Sequence, residues 1–315
     1  MDEKLLLRLI NSNFSASQIC DELNVNYKDL FCKINELKTK GIFYYPSYDS
    51  KGEIFYTTEK INADDPITIN PDHGRISFVS LSDIHIGSVY DDEKRLYEIQ
   101  NYVLFKDLHF ILNSGDNIDG FPKSKDSFPR RIPSIDKQAE EFIRVYPQAS
   151  ELVTICALGD HDLRSRLSSG MSFNEYLRKN RHDIKVYSSG YGIIKIANKE
   201  IMLCHNANDP RIKEKLTDNM ILISGHSHYF DKNIYSYGKG LAVRIINPSV
   251  SRLPEINGFT SGFLRWDFDI SGNIVTCIHV QEYVFDENNK IKEGSLDHFS
   301  LVIGNNNTRT RKKFY

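Results

Sequence analysis

Ten histidines are spread along 315 residues; four of them stand in short motifs that also carry aspartate or a second histidine, and a fifth stands alone after an apolar run. In chain order these are Asp83-Ile84-His85, Gly115-Asp116-Asn117-Ile118-Asp119-Gly120, Gly159-Asp160-His161-Asp162, His205 after an apolar run, and Gly225-His226-Ser227-His228. Carboxylates and imidazoles in this mixture are ligands for divalent metals. They suit Mn, with Fe or Zn as alternatives, better than Mg or Ca, which prefer all-oxygen shells. A single D-x-H or H-x-H arises by chance in many chains, whereas five motifs, each where a strand is predicted to end, describe one two-metal centre. The chemistry such a centre serves is hydrolysis of a phosphate ester. Two divalent ions about 3.5–4 Å apart lower the pKa of a bridging water and clamp the ester oxygens. An imidazole such as His161 then protonates the departing alkoxide or stabilises its charge. Asp119 or Asp162 is expected behind the ligands, orienting their imidazoles. His73, His109, His182, His279 and His298 read as ordinary surface or core histidines, and Gly115, Gly120 and Gly225 as turn glycines.

The elements that must position these side chains follow from the apolar runs before them. The run 76–81 leads into Asp83, 109–113 into Asp116, 153–158 into Asp160, 201–204 into His205, and 220–223 into Gly225. Helical stretches lie between them, and the chain beyond Leu241 is mostly strand-like. The expected fold class is α/β, a sandwich with polar ligands at strand ends, where open sheets place their sites. Residues 1–62 form a separate pattern. Leu5, Leu6, Leu9 and Ile10 share one helical face, Ser15 or Ser17 can cap a second helix, and Leu30, Ile34 and Leu37 mark a third that stops at Gly41. Strands over 42–45 and 54–57 with a turn through Asp49 and Gly52 complete a pattern resembling a winged helix-turn-helix. Residues 63–74, with Pro66 and Pro71, read as a linker. Residues 75–290 form the metal-binding domain and 291–315 a C-terminal segment whose basic end reads as disordered.

With these motifs in hand, the chain from about 75 to 280 resembles the calcineurin-like metallophosphoesterase superfamily. The resemblance implies a β-sandwich flanked by helices and holding two divalent metals. It implies that Asp83, His85 and His228 hold the first metal, that Asp160, His205 and His226 hold the second, and that Asp116 bridges both. His161 then faces the substrate. The family usually has asparagine where this chain has Asp160, and the extra charge should bind the second metal more tightly while making it a weaker Lewis acid. Phosphoprotein phosphatases carry arginine where Gly120 stands, which argues against that branch. The run from Ser82 to Ser88, together with Gly115 to Gly120, looks most like the DNA-processing branches: break-repair exonucleases and the proofreading subunit of archaeal family-D polymerases.

Charge bears on the partner. A formal net charge of −2 gives no global signature of polyanion binding, so a nucleic-acid reading rests on local cations. Lys123, Lys125, Arg130 and Arg131 stand in one loop against Asp126, Arg164 and Arg166 follow His161, and Arg309, Arg311, Lys312 and Lys313 end the chain. The cations beside the metal motifs are expected to track a phosphate backbone or grip a terminal phosphate. The basic tail is expected to add non-specific affinity for nucleic acid or only solubility. Lys28, Lys33 and Lys38 are the DNA-facing candidates of the third helix. Yet residues 1–70 hold eight Lys and Arg against eleven Asp and Glu, a net of −3, less basic than a strong DNA binder. Protein docking or a homodimer is the alternative use of that module. The leading expectation is a DNA nuclease. The alternatives are a hydrolase of small phosphodiesters, such as cyclic nucleotides or dinucleotides, and a non-catalytic DNA-binding regulator. Five scattered cysteines without C-x-x-C spacing read as reduced thiols. With no secretory signal and no membrane-length apolar run, the expected location is cytoplasmic.

Overall fold

The structure, a computed structural model, describes residues 1–70, 74–121, 129–237, 240–252 and 261–299. Lys123, Lys125, Asp126, His73 and the basic tail lie outside the described residues.

The chain opens with three capped helices. Asp2 caps α1 (Glu3–Asn11), Ser15 and Gln18 form a capping box on α2 (Ala16–Leu23), and Asn26 caps α3 (Tyr27–Thr39). Their apolar faces meet through Leu6, Leu9, Ile10, Ile19, Leu30, Ile34 and Leu37, all buried. A hairpin follows, β1 (Tyr45–Tyr48) against β2 (Ile54–Thr57), with Tyr45 opposite Thr57. Its first strand starts later than the expected residue 42. Gly41, at φ +81°, turns the chain at the end of α3, and the Ile42 N–H then donates to Leu37 O at 3.0 Å, so Ile42 finishes the helix. The 63–74 segment is not all linker. Ile67-Thr68-Ile69 alternates buried and exposed β-branched residues as β3 (Ile67–Ile69), which joins a sheet.

Two sheets then pack face to face. One has strand order β15-β14-β13-β4-β5-β6-β7, built from β4 (Arg75–Leu81), β5 (Phe110–Asn113), β6 (Val153–Cys156), β7 (Ile184–Val186), β13 (Gly262–Ser271), β14 (Ile274–Phe285) and β15 (Ile291–Phe299). The strands β4 to β7 run parallel, and β13 to β15 add antiparallel, carrying the sheet past residue 290. The other has order β11-β12-β10-β9-β8-β3, adding β8 (Tyr191–Ile196), β9 (Lys199–Cys204), β10 (Ile221–Ser224), β11 (Asp231–Tyr237) and β12 (Gly240–Ile246). Phe78, Leu112, Ile155 and Trp266 from the first sheet share a core with Ile194, Leu203, Ile223 and Ile245 from the second.

Helices cover the outer faces. Val79, Leu81, Ile111 and Phe263 pack on α4 (Glu93–Phe105), α5 (Ile135–Val145) and α7 (Phe173–Asn180), while Met202 and Leu222 pack near α8 (Pro210–Lys213). The result is helix, sheet, sheet, helix, each sheet burying both faces. The N-terminal helices and hairpin share the inter-sheet core cluster rather than keeping one of their own. Their joint centres on His182: Phe31 lies 4.7 Å from its ring, Tyr48 donates to its carbonyl at 2.8 Å, and Tyr56 Oη lies 3.3 Å from Nδ1. Asn35 adds a 2.8 Å hydrogen bond to Lys179 O. All five cysteines are free; Cys20, Cys156 and Cys204 are buried, and Cys32 is exposed. Among the described residues no helix is long and apolar enough to cross a membrane.

Candidate metal centre

Five strand ends converge. Asp83 and His85 follow β4, Asp116 follows β5, Asp160 opens the short α6 (Asp160–Arg164) after β6, His205 directly follows β9, and His226 and His228 follow β10. The first two loops are zipped by main-chain bonds: Asp83 N–H to Gly115 O at 2.9 Å, and Ile84 and His85 N–H to Asp116 O at 2.9 and 3.0 Å. Five of these side chains sit on left-handed backbone: Asp83 at φ +55°, His85 at +51°, Asp116 at +54°, His226 at +73° and His228 at +61°. Each costs roughly 1–2 kcal/mol for an L-residue, and strain gathered at one spot marks a place where geometry is imposed. Two glycines make room for it. A Cβ on Gly159 would lie 2.0 Å from Asp116 Oδ1, and one on Gly225 would lie 1.9 Å from Ser82 Oγ. Gly225 is therefore a close-approach glycine rather than a turn glycine.

The side chains form two adjoining groups, Asp83 with His85 and His228, and Asp116 with Asp160, His205 and His226. Within each group the ligand atoms lie within 4.8 Å of one another. Asp116 links them, its Oδ2 being 3.0 Å from His205 Nε2 and 3.9 Å from His85 Nε2. In the first group Asp83 Oδ1 and His85 Nε2 are buried, face each other at 3.7 Å, and make no hydrogen bond. Buried polar atoms are ordinarily satisfied, so this pair fits a cation between them. The far side of two imidazoles is anchored. His205 Nδ1–H donates to Ser114 O at 2.9 Å, and His161 Nδ1–H to Asp119 O at 2.5 Å, which leaves Nε2 of each turned inward. Asp119 Oδ1 lies 3.6 Å from His85 Nδ1, and Arg130 Nε donates to Asp119 Oδ2 at 2.8 Å. The residues present thus fit two divalent ions.

The electrostatics agree. Burial opposes charge on His205, yet Asp116 and Asp83 outweigh it and push its pKa up to about 10. Burial likewise opposes ionisation of Asp116, but His205 and His85 hold it well below the usual carboxylate range. The centre is built to carry charge in the interior.

A family model of the calcineurin-like phosphoesterases matches residues 76–248. The chain belongs to that family. No curated protein matches the phosphoesterase. Among solved structures it is similar to Yfce, a phosphoesterase from E. coli, at 14% identity and TM-score 0.42, covering 70% of this chain and 100% of that one. It is also similar to Vacuolar Protein Sorting 29 from Cryptosporidium parvum, at 14% identity and TM-score 0.42, covering 72% and 99%. A third is the purple acid phosphatase PPD1 from yellow lupin, at 9% identity and TM-score 0.43, covering 71% and 53%.

The phosphoesterase brings all seven expected ligands and His161 together, but it uses its neighbours differently from expectation. Among the described residues Asp162 hydrogen-bonds no imidazole. It accepts from the N–H groups of Asn117, Ile118 and Gly159 and from Asn117 Nδ2, pinning the second motif to the third. Burial and the charge of Asp116 push its carboxyl up to about 7. The arginines expected to face substrate are engaged within the protein. Arg130 is on Asp119, Arg131 forks onto Asp91 at 2.9 Å, Arg164 is on Asp160, and Arg166 donates to Leu163 O and Ser165 O. Each cation lies within reach of an acid or carbonyl from a nearby turn. Of the lysines on α3, Lys33 pairs with Glu3 and Glu36, Lys38 is half-buried beside Asn35, and Lys28 is exposed. The α3 residues Phe31 and Asn35 face the phosphoesterase domain, so that side of the helix is not open to a DNA groove. A second mixed cluster, Asp269, Cys277 and His279, lies on β13 and β14. Its carboxylate is already held by Arg75 and His279, both at 2.8 Å.

Two supporting residues escape a motif search. Asn247 donates to Ser114 Oγ at 2.8 Å, and Ser249 donates to Asp83 O at 2.8 Å, bracing the first two loops from the end of β12. Their signal is slight: an Asn247-Pro248-Ser249 turn at a strand end.

Proposed function

We propose that the chain is a two-metal phosphodiesterase, with Mn the preferred ion and DNA the leading substrate. The observation that carries the hydrolytic reading is Asp116 Oδ2, a single buried oxygen placed between both ligand groups. When bound, two such ions supply a nucleophile at neutral pH and neutralise charge on the phosphoryl oxygens. Asp83, His85 and His228 would hold one ion, Asp160, His205 and His226 the other, and Asp116 both. His161 remains partly exposed, its ring fixed through Nδ1 and its Nε2 4.0 Å from Asp116 Oδ2. From there its imidazole would be placed to hand a proton to the leaving oxygen. DNA is supported by the likeness of the first two motifs to DNA-processing phosphoesterases and by the exposed Lys28 on α3, with Lys33 and Lys38 already engaged.

A second reading, a small phosphodiester such as a cyclic nucleotide, is favoured by one feature. A cleft of about 350 Å³ opens beside Asp160 and His205, walled by Leu163, Tyr191, Asn206 and Arg211. That volume falls in the roughly 300–1,000 Å³ range of small-molecule sites. The test is Mn-dependent cleavage of end-labelled single- and double-stranded DNA beside a chromogenic bis-aryl phosphodiester, with His161→Ala as the control. DNA degradation that falls roughly 10²–10⁴-fold in the variant, the range of a lost general acid, supports the nuclease. Cleavage of the small ester with DNA left intact moves the assignment to the second reading. Intact substrates with Mn bound would overturn both.

A further inference from the structure

Asp160 divides its two oxygens between different tasks. Its Oδ1 faces the ligand group, 3.6 Å from His205 Nε2 and 3.7 Å from His226 Nδ1. Its Oδ2 accepts from Arg164 Nη1 at 2.5 Å, across one turn of α6. The spacing of four residues places the pair on one helical face. Arg166, two residues on, turns instead to the carbonyls of Leu163 and Ser165.

Three carboxylates, Asp83, Asp116 and Asp160, would share two divalent ions that must also draw in an anionic ester. Each full negative charge tightens the metal but lowers its power to polarise a phosphoryl oxygen. A guanidinium on the outer oxygen counters that charge without removing the ligand atom. We infer that Arg164 is a positioning residue that orients Asp160 Oδ1 inward and offsets part of its charge, bringing it toward a carboxamide ligand. This inference rests on the two-metal reading above. It gives Arg164 a task other than gripping substrate.

The test uses the full chain with Arg164→Gln, Asp160→Asn, the double variant and Arg164→Lys. Mn²⁺ is titrated calorimetrically into the metal-free protein, and turnover is read on the bis-aryl phosphodiester. Arg164→Gln should bind Mn²⁺ several-fold more tightly and turn over about tenfold more slowly, the lower end for a partner acting through a ligand. In the Asp160→Asn background, the same Gln substitution should change neither quantity. Arg164→Lys, which keeps the charge, should restore wild-type affinity. Weaker Mn²⁺ binding in Arg164→Gln, no change at all, or an undiminished effect in the Asn background would each overturn the inference. So would a lysine variant that behaves like glutamine. If the wild type does not turn over the ester but the affinity pattern appears, the charge assignment stands and the phosphodiesterase reading fails. Matching thermal unfolding curves show that each variant is folded; should Arg164→Gln not fold, the lysine and Asn variants decide the matter.

Discussion

His205 and His182 are both buried, one in the metal centre and the other at the joint with the N-terminal helices, and their ionisation runs in opposite directions. Burial pulls His182 down to about 3, with Lys38 adding to the effect. The same burial at His205 is overcome by Asp116 and Asp83, and its pKa rises to about 10. His182 is surrounded by Phe31 and Tyr56 rings, with no carboxylate against it in the contacts described, and stays neutral. What separates the histidine of the candidate metal centre from the one at the joint is not depth but whether carboxylates share the depth.

The severest way to break this contrast is Asp116→Asn. It removes the one charge both ligand groups share and leaves shape nearly intact. Hydrolysis should fall by more than the ~10–100-fold typical of residues behind the ligands, with Mn²⁺ binding weakened in calorimetry. In the metal-free protein, the His205 resonance followed by NMR should titrate at lower pH than in wild type. An unchanged His205 titration would show that Asp116 is not the source of its charge.

The next test acts on the other histidine. An unfolded His182 titrates near 6.5 and the folded one near 3, so between these values the unfolded chain binds the extra proton. Stability from this group is therefore complete above about pH 6.5 and lost as pH falls through the window, at about 1.4 kcal/mol per unit. From pH 6.5 to 5 that amounts to roughly 2 kcal/mol. Urea unfolding at both pH values should show a difference that shrinks in His182→Asn. Equal pH dependence in wild type and variant would mean that the joint does not exclude charge.

The same contrast explains what could be read in the chain. The ligand set was legible because its motifs, each after an apolar run, resemble those of the calcineurin-like phosphoesterases, and that resemblance implies the seven ligands. The convergence of the strand ends is seen only in the fold. The left-handed backbone at Asp83, His85, Asp116, His226 and His228 was hidden, since nothing in aspartate or histidine announces a positive φ. The state of the arginines was hidden too. Arg131 finds Asp91 across 40 positions, and only the folded turn shows that Arg130 is engaged by Asp119. β3 was missed because three residues beside prolines carry little pattern, and its partner β8 lies far along the chain. The role of His182 emerges only when α3 docks, because its ring partners come from residues 31 and 56.

The smallest effect should come from Asp119→Asn, and it asks how much of the centre depends on what stands behind the ligands. Asp119 touches the centre in two ways. Its carboxylate faces His85 Nδ1 at 3.6 Å and takes Arg130 at 2.8 Å, while its main-chain oxygen accepts from His161 Nδ1 at 2.5 Å. The substitution removes the first and spares the second. His161 keeps its anchor, so the rim proton donor should stay in place. His85 loses a counter-charge, and Arg130 is left with an uncharged partner. Turnover on the bis-aryl phosphodiester should fall about tenfold, with Mn²⁺ affinity reduced by a similar factor. A loss as large as that of Asp116→Asn would mean that the carboxylate behind His85 matters as much as the one between the metals. The opposite result, no loss at all, would show that burial by itself is enough to orient His85.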